Sequence, residues 1–225
     1  MNHTTSNNCI FPMQNLPKTL RIVLIGDVKV GKSTLRQRAH QDRVDDQYLP
    51  TIGVELGVQR IHDCSVQLWD ASGDERFRGL LKPYLRNASA VICYDVTNRI
   101  SFTHVRDWLA FFKNEIGSVP HTVALVATKA ESTQRVVSAD EGQTLAKELG
   151  ISMFFEVSAR HDTQRQINDM LGDVVDAALY ETSYARAKHD LPTSPSTQKK
   201  SWQLADKLVA LGNALDRLFF CSPRV

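Results

Sequence analysis

At 225 residues, with 42% hydrophobic and 23% charged residues, the chain has material for one core of ordinary size and some left over for tails. A formal charge of +2, with no basic face along the sequence, argues against a nucleic-acid partner. Cys9, Cys64, Cys93 and Cys221 lie far apart, with no C-x-x-C pair and no histidine at metal spacing, and the N-terminus has neither a basic start nor a continuous apolar run. Reduced thiols in a soluble cytoplasmic chain are the expectation.

Residues 1–18 are rich in Asn and Thr and carry two prolines, a composition expected to form a flexible arm. Residues 19–188 then alternate β-type runs with helical stretches, the pattern of a doubly wound α/β sheet. The first strand, Leu20 through Ile22, Val23, Leu24 and Ile25, runs into Gly26-Asp27-Val28-Lys29-Val30-Gly31-Lys32-Ser33 and then Thr34. In this G-x-x-x-x-G-K-S spacing the backbone N–H groups turn inward around a polyphosphate. Lys32 reaches its β/γ oxygens and Ser33 ligates Mg²⁺. The helix expected over Lys32 to His40 adds its positive N-terminal end to the same anion site. Eight residues match such a pattern by chance fairly often; the buried strand before them and the helix after them give the reading its weight.

Further strands are expected at Gly53 to Ile61, Ser65 to Trp69, Ala90 to Tyr94, Thr122 to Ala127 and Met153 to Val157. Helices are expected near Leu80 to Leu85, then at Ser101 to Ile116, Ser138 to Leu149 and Thr163 to Ala187. This makes a six-stranded, mostly parallel sheet flanked by helices, a P-loop NTPase fold whose ligands lie beyond the carboxyl ends of the strands. The strand ending at Trp69 delivers Asp70 to the Mg²⁺ water shell, and Gly73 offers its N–H to a γ-phosphate with no side chain in the way. Residues 189–200, rich in Pro, Ser and Thr, read as a linker. Residues 201–225 hold an amphipathic helix and tail, with Trp202, Ala205, Leu208, Val209, Leu215 and Leu218 at helical spacing.

Four segments, GDVKVGKST, YLPTIGVEL, LWDASGDERFRGL and AVICYDVTNRISF, with EVSAR as a fifth, now make the chain resemble the Ras superfamily of small GTPases, and the Rab family in particular. The resemblance implies GTP and GDP as ligands, with Mg²⁺. It implies that Thr51 joins Ser33 on the metal, with Asp70 acting through water, and that Thr51 swings away after hydrolysis. Thr128, Lys129 and Glu131 stand at the base-recognition segment, and Ser158, Ala159 and Arg160 at the last nucleotide loop. Gly73 to Leu80, Phe77 among them, match the second switch, and with Val54, Leu56 and Trp69 they match the apolar surface that Rab effectors read, although a packed aromatic is an equal reading of Trp69. Effector proteins, an exchange factor and a GTPase-activating protein are the implied partners of a monomeric switch.

Several positions depart from that family's pattern. Asp74 stands where a glutamine orients the attacking water, and as a carboxylate it cannot donate the hydrogen bond an amide can. With Lys32 it is the candidate catalytic pair, and slow hydrolysis is the expectation. Val28 is bulkier than the glycine found in Ras, Lys29 follows where a small residue is usual, and Glu131 is one methylene longer than the base-reading aspartate. Val44 falls where an aromatic stacks on guanine. Cys221 is fifth from the end, one too far for a prenylation box, so contact with an intracellular membrane would fall to the C-terminal helix, which is equally suited to pack on the domain or on a partner. Two functions stay open: a slow-hydrolysing switch in vesicle and membrane trafficking, or a GTP-locked or nucleotide-indifferent scaffold or decoy. A divergent protist or an intracellular bacterium, with the host cytosol as the setting, are alternative origins of such a chain.

Overall fold

The computed structural model describes residues 19–41, 44, 49–116 and 121–189. The expected arm at residues 1–18, the linker beyond residue 189 and the amphipathic helix at 201–225 lie outside the described residues. Six strands, β1 (Thr19–Ile25), β2 (Val54–Ile61), β3 (Cys64–Ala71), β4 (Ser89–Asp95), β5 (Val123–Thr128) and β6 (Met153–Val157), form one sheet in the order β2-β3-β1-β4-β5-β6. All neighbours run parallel except β2 and β3. The sheet is the one expected from the alternation of elements, and β1 sits where the strand order reverses, so the loop leaving it opens at the switch point.

The central strands are apolar without alternation because both faces are covered. Val23 and Ile25 face one core with Leu81, Leu85, Trp108, Phe112 and Leu145. Ile22 and Leu24 face the other, with Leu35, Val66, Ile167, Leu171 and Val174. The helices are α1 (Lys32–His40), α2 (Arg78–Leu85), α3 (Arg99–Thr103), α4 (Val105–Glu115), α5 (Ala139–Leu149) and α6 (Gln164–His189), with a short 3₁₀ turn at Glu75–Phe77 before α2. One helix was expected over Ser101 to Ile116; the chain makes two, joined at His104 and starting earlier because the Asn98 side chain accepts from the Ile100 and Ser101 N–H groups. α5 begins on a capping box, Ser138 with Glu141, and ends on left-handed Gly150. Among the described residues no helix is long and apolar enough to cross a membrane.

Candidate functional site

The segments at Gly26 to Ser33, Asp70 to Gly73, Thr128 to Glu131 and Ser158 to Arg160 lie at the carboxyl ends of β1, β3, β5 and β6. Gly26 leaves β1 at φ 141°, and a Cβ there would stand 2.2 Å from the Cys93 carbonyl oxygen, so only glycine lets the loop turn against β4. Gly31, at φ 97°, opens α1 with no side-chain cap, which leaves the first N–H groups of the helix to meet an anion. The Lys32 ammonium folds back across the loop and donates to the Gly26 carbonyl at 2.9 Å and the Asp27 carbonyl at 2.7 Å. It is buried, and desolvation lowers its pKa from the ordinary lysine range, against the pull of Asp70. Val28 and Lys29 are exposed at the crest of the loop, Lys29 with a left-handed φ of 65°. Val30 is buried and Thr34 half-buried in the first turn of α1.

Asp27 has a role the sequence did not reveal. The Trp108 Nε1–H donates to its Oδ1 at 2.8 Å, and the His104 ring nitrogen Nδ1 lies 2.7 Å from its Oδ2. The crest of the phosphate loop is thereby pinned to the joint between α3 and α4.

The hydroxyls of Ser33 and Thr51 meet at 2.9 Å. Asp70, at the end of β3, is 0% exposed, and neither of its carboxylate oxygens has a hydrogen-bond partner. Burial raises its pKa, while the nearby Ser33 hydroxyl, Lys32 and Arg36 act the other way. A buried carboxylate left without donors is costly unless a cation faces it, and two hydroxyls beside such a carboxylate are the hard oxygen donors that suit Mg²⁺. Among the described residues no cluster of three or more His, Cys, Asp or Glu is placed to hold a metal. The hydroxyls of Ser33 and Thr51 and the Asp70 carboxylate fit the expected ion by their donor chemistry.

Gly73 follows on the other side of the loop. A Cβ there would stand 2.3 Å from the Asp27 carbonyl carbon and 2.4 Å from the Val28 N, so any side chain would push the segment that follows β3 off the phosphate loop. Asp74 does not stand alone toward the phosphates. Its Oδ1 accepts from the Arg76 N–H at 2.9 Å, and the Arg76 guanidinium grips the carboxylate through Nε at 3.1 and 3.0 Å and through Nη2 at 2.6 Å. These bonds from Arg76 hold its carboxyl below the usual aspartate range.

On the base side, Thr128 is buried, and its hydroxyl lies against the Val30 carbonyl and, at 2.8 Å, the Tyr94 carbonyl. With one proton it donates to one of them at a time, and so ties the phosphate loop to β4 and β5. Lys129, left-handed at φ 59°, places its ammonium on Asp95, a partner that spacing alone did not suggest. Glu131 is exposed, with no hydrogen bond or ion pair among the described residues. In the last loop the Ser158 N–H donates to Asp162 Oδ2 at 2.7 Å, while Arg38 of α1 donates to the Ala159 carbonyl at 2.8 Å and the Arg160 carbonyl at 3.0 Å. Val44 is half-buried.

Ile52 and Val58 are exposed apolar residues beside the surface read from the sequence around β2 and α2. Leu56 is exposed, but Val54 and Phe77 are half-buried. Trp69 lies between the two readings: half-buried, packed on the core, its ring 5.0 Å from that of Tyr84 and its Nε1 buried without a partner. The more exposed members are Ile52, at 80%, and Leu80, at 59%, with Val58 at 50%. The period of two along β2 points to Val58, on the same face as Val54 and Leu56, and Leu80 ends the segment from Gly73 that the sequence places on this surface.

Residues 21–179 match the sequence profile of the Ras family. The chain is 39% identical over 148 residues to the Ras-related protein SEC4 of Saccharomyces cerevisiae, covering 64% of this chain and 68% of the yeast protein. It is 39% identical over 145 residues to the Ras-related protein RABA6a of Arabidopsis thaliana, covering 62% of this chain and 61% of the plant protein. It is 34% identical over 169 residues to the GTP-binding protein Rab-3D of Rattus norvegicus, covering 72% of this chain and 76% of the rat protein.

Proposed function

Because the chain belongs to the Ras family, as a Rab-like small GTPase, we propose that it is a guanine-nucleotide switch of membrane trafficking that binds GTP and GDP with Mg²⁺ and turns GTP over slowly. The observation that carries the slow turnover is the grip of Arg76 on Asp74. A carboxylate already saturated by a guanidinium is a poor acceptor for the proton of an attacking water, and it has no N–H to orient that water. Lys32 and the loop amides hold the phosphates, and the Gly73 N–H meets the γ-phosphate. Ser33, Thr51 and Asp70 would hold the metal. The metal, when bound, neutralises charge developing on the β/γ oxygens. Glu131 and Lys129 read the base, and Ser158, Ala159 and Arg160 close its far side.

In the GTP form Thr51 stays beside Ser33, and the apolar surface from Ile52 to Leu80 recruits effectors. An exchange factor and a GTPase-activating protein set the timing, the latter able to bring the groups that Asp74 lacks. The test is to identify the nucleotide that copurifies and then follow single-turnover hydrolysis. Bound guanine nucleotide with slow turnover is expected, and Asp74→Gln is expected to raise the rate about tenfold. Intact GTP after hours would favour the locked scaffold, and a protein with no nucleotide and no affinity for one would sink the switch.

A further inference from the structure

Glu55 and Asp70 are partners in the antiparallel register of β2 and β3, so their side chains leave the same face of the sheet. Two carboxylates directly opposite one another repel, and Arg36 of α1 stands over both. Its Nη2 is paired with Glu55, and its Nε lies 3.8 Å from Asp70 Oδ2. The stem reaches this place by crossing Gly57, where a Cβ would sit 3.6 Å from the Arg36 Cγ and Cδ. Arg36 Nε and both Asp70 oxygens are buried with no hydrogen-bond partner. A separation of 3.8 Å is an ion pair but not a hydrogen bond; closing by less than about 1 Å would make it one.

We propose that Arg36 is a built-in countercation that competes with Mg²⁺ for Asp70, so that nucleotide retention depends less on the metal than it would with an apolar residue there. Arg36 is a positioning residue, acting through Asp70, and the inference rests on the guanine-nucleotide reading above. Without metal, the guanidinium compensates a carboxylate that burial otherwise makes costly. With metal, its positive charge opposes the ion. Glu55 holds the guanidinium back from Asp70, which ties the metal site to the strand that carries Leu56 and Val58.

The test loads the full chain with fluorescent GDP and follows its release across a Mg²⁺ titration, with Mn²⁺ binding read separately by electron paramagnetic resonance. In the double variant Arg36→Leu/Glu55→Gln the half-saturating Mg²⁺ should fall about tenfold, and Arg36→Lys, which keeps the charge, should stay near wild type. Glu55→Gln alone alters a half-exposed side chain and frees Arg36 to close on Asp70; the half-saturating Mg²⁺ should rise about threefold. An unchanged value in Glu55→Gln overturns the proposal even where the double variant fails to fold. So does Arg36→Lys behaving like the double variant, which would assign the effect to guanidinium geometry. A wild-type chain that takes up no GDP overturns the functional reading and this inference with it, whereas GDP-loaded proteins with equal half-saturation overturn the inference alone.

Discussion

The phosphate side and the base side of the site have absorbed sequence change differently. On the phosphate side the groups that would touch ligand are all present: Lys32 folded over the loop, the hydroxyls of Ser33 and Thr51 in contact, Asp70 buried with no hydrogen-bond partner, Gly73 packed on the loop crest. On the base side the fold-facing position has been refilled, since Thr128 ties Val30 and Tyr94 together from beneath, while Glu131, which is proposed to face the base, stands exposed with no hydrogen bond or ion pair among the described residues. A substituted residue that bonds to its own protein is constrained by backbone carbonyls a hydroxyl can still reach. One that bonds to a ligand is constrained by a geometry the fold does not enforce.

The largest effect should come from Lys32→Ala, which removes the cation at the centre of the phosphate side. About a hundredfold loss of GTP affinity or more is expected in a fluorescent-nucleotide titration, and a small loss would show that the amide nest alone holds the phosphates. Gly73→Ala comes next. The added Cβ meets Asp27 and Val28 backbone at 2.3 to 2.5 Å, so about 1 to 3 kcal/mol of stability should be lost in urea unfolding, with GTP binding weakened more than GDP binding. On the base side, Glu131→Asp should sharpen recognition, raising GDP affinity over ADP affinity about tenfold by returning the bidentate acceptor to its shorter reach. If selectivity does not move, the loop from Lys129 has shifted to suit the longer side chain, and the contrast between the two sides fails there.

The smallest effect concerns what supports the base side. Arg99 pairs with Glu141 and also donates to the Val136 carbonyl, fastening the chain that leaves the base segment. The hydrogen bonds from Arg99, joined by the Ser138 N–H, hold the Glu141 carboxyl down to about 2, against an ordinary 4.5. Because the folded value is the lower one, this pair contributes stability above the unfolded pKa, and the contribution is lost as pH falls from about 4.5 toward about 2. The melting temperature of Glu141→Gln should therefore converge on that of the wild type across this window; an equal gap at pH 6 and pH 2.5 would deny the pair its role.

Much of the fold was legible because each strand carries its own signal. A continuous apolar run such as Ile22 to Ile25 states that both faces are buried, and α1 came out with the expected bounds, Lys32–His40, because Gly31 marks its start. The joint at His104 was not legible, since Ser101 to Ile116 keeps one helical period across it. Spacing and order also brought out the loop from Gly26 to Ser33, Asp70 and Gly73, while the resemblance to the Ras superfamily brought out Thr51 and the departures at Asp74 and Glu131. What those substitutions do depends on neighbours that spacing does not show.

The sequence by itself determined the family and the succession of strands and helices along the chain, because these follow from local periodicity and from motifs whose members are close in the chain; the order of the strands across the sheet came from the tertiary structure. Tertiary structure alone decided that His104 and Trp108 hold Asp27, that Asp95 takes Lys129, and that Arg36 stands between Glu55 and Asp70. Each of these contacts depends on how a helix lies on the sheet or on the register of β2 against β3. A shift of one residue in that register would turn Glu55 to the opposite face and take from Arg36 the carboxylate that holds it away from Asp70.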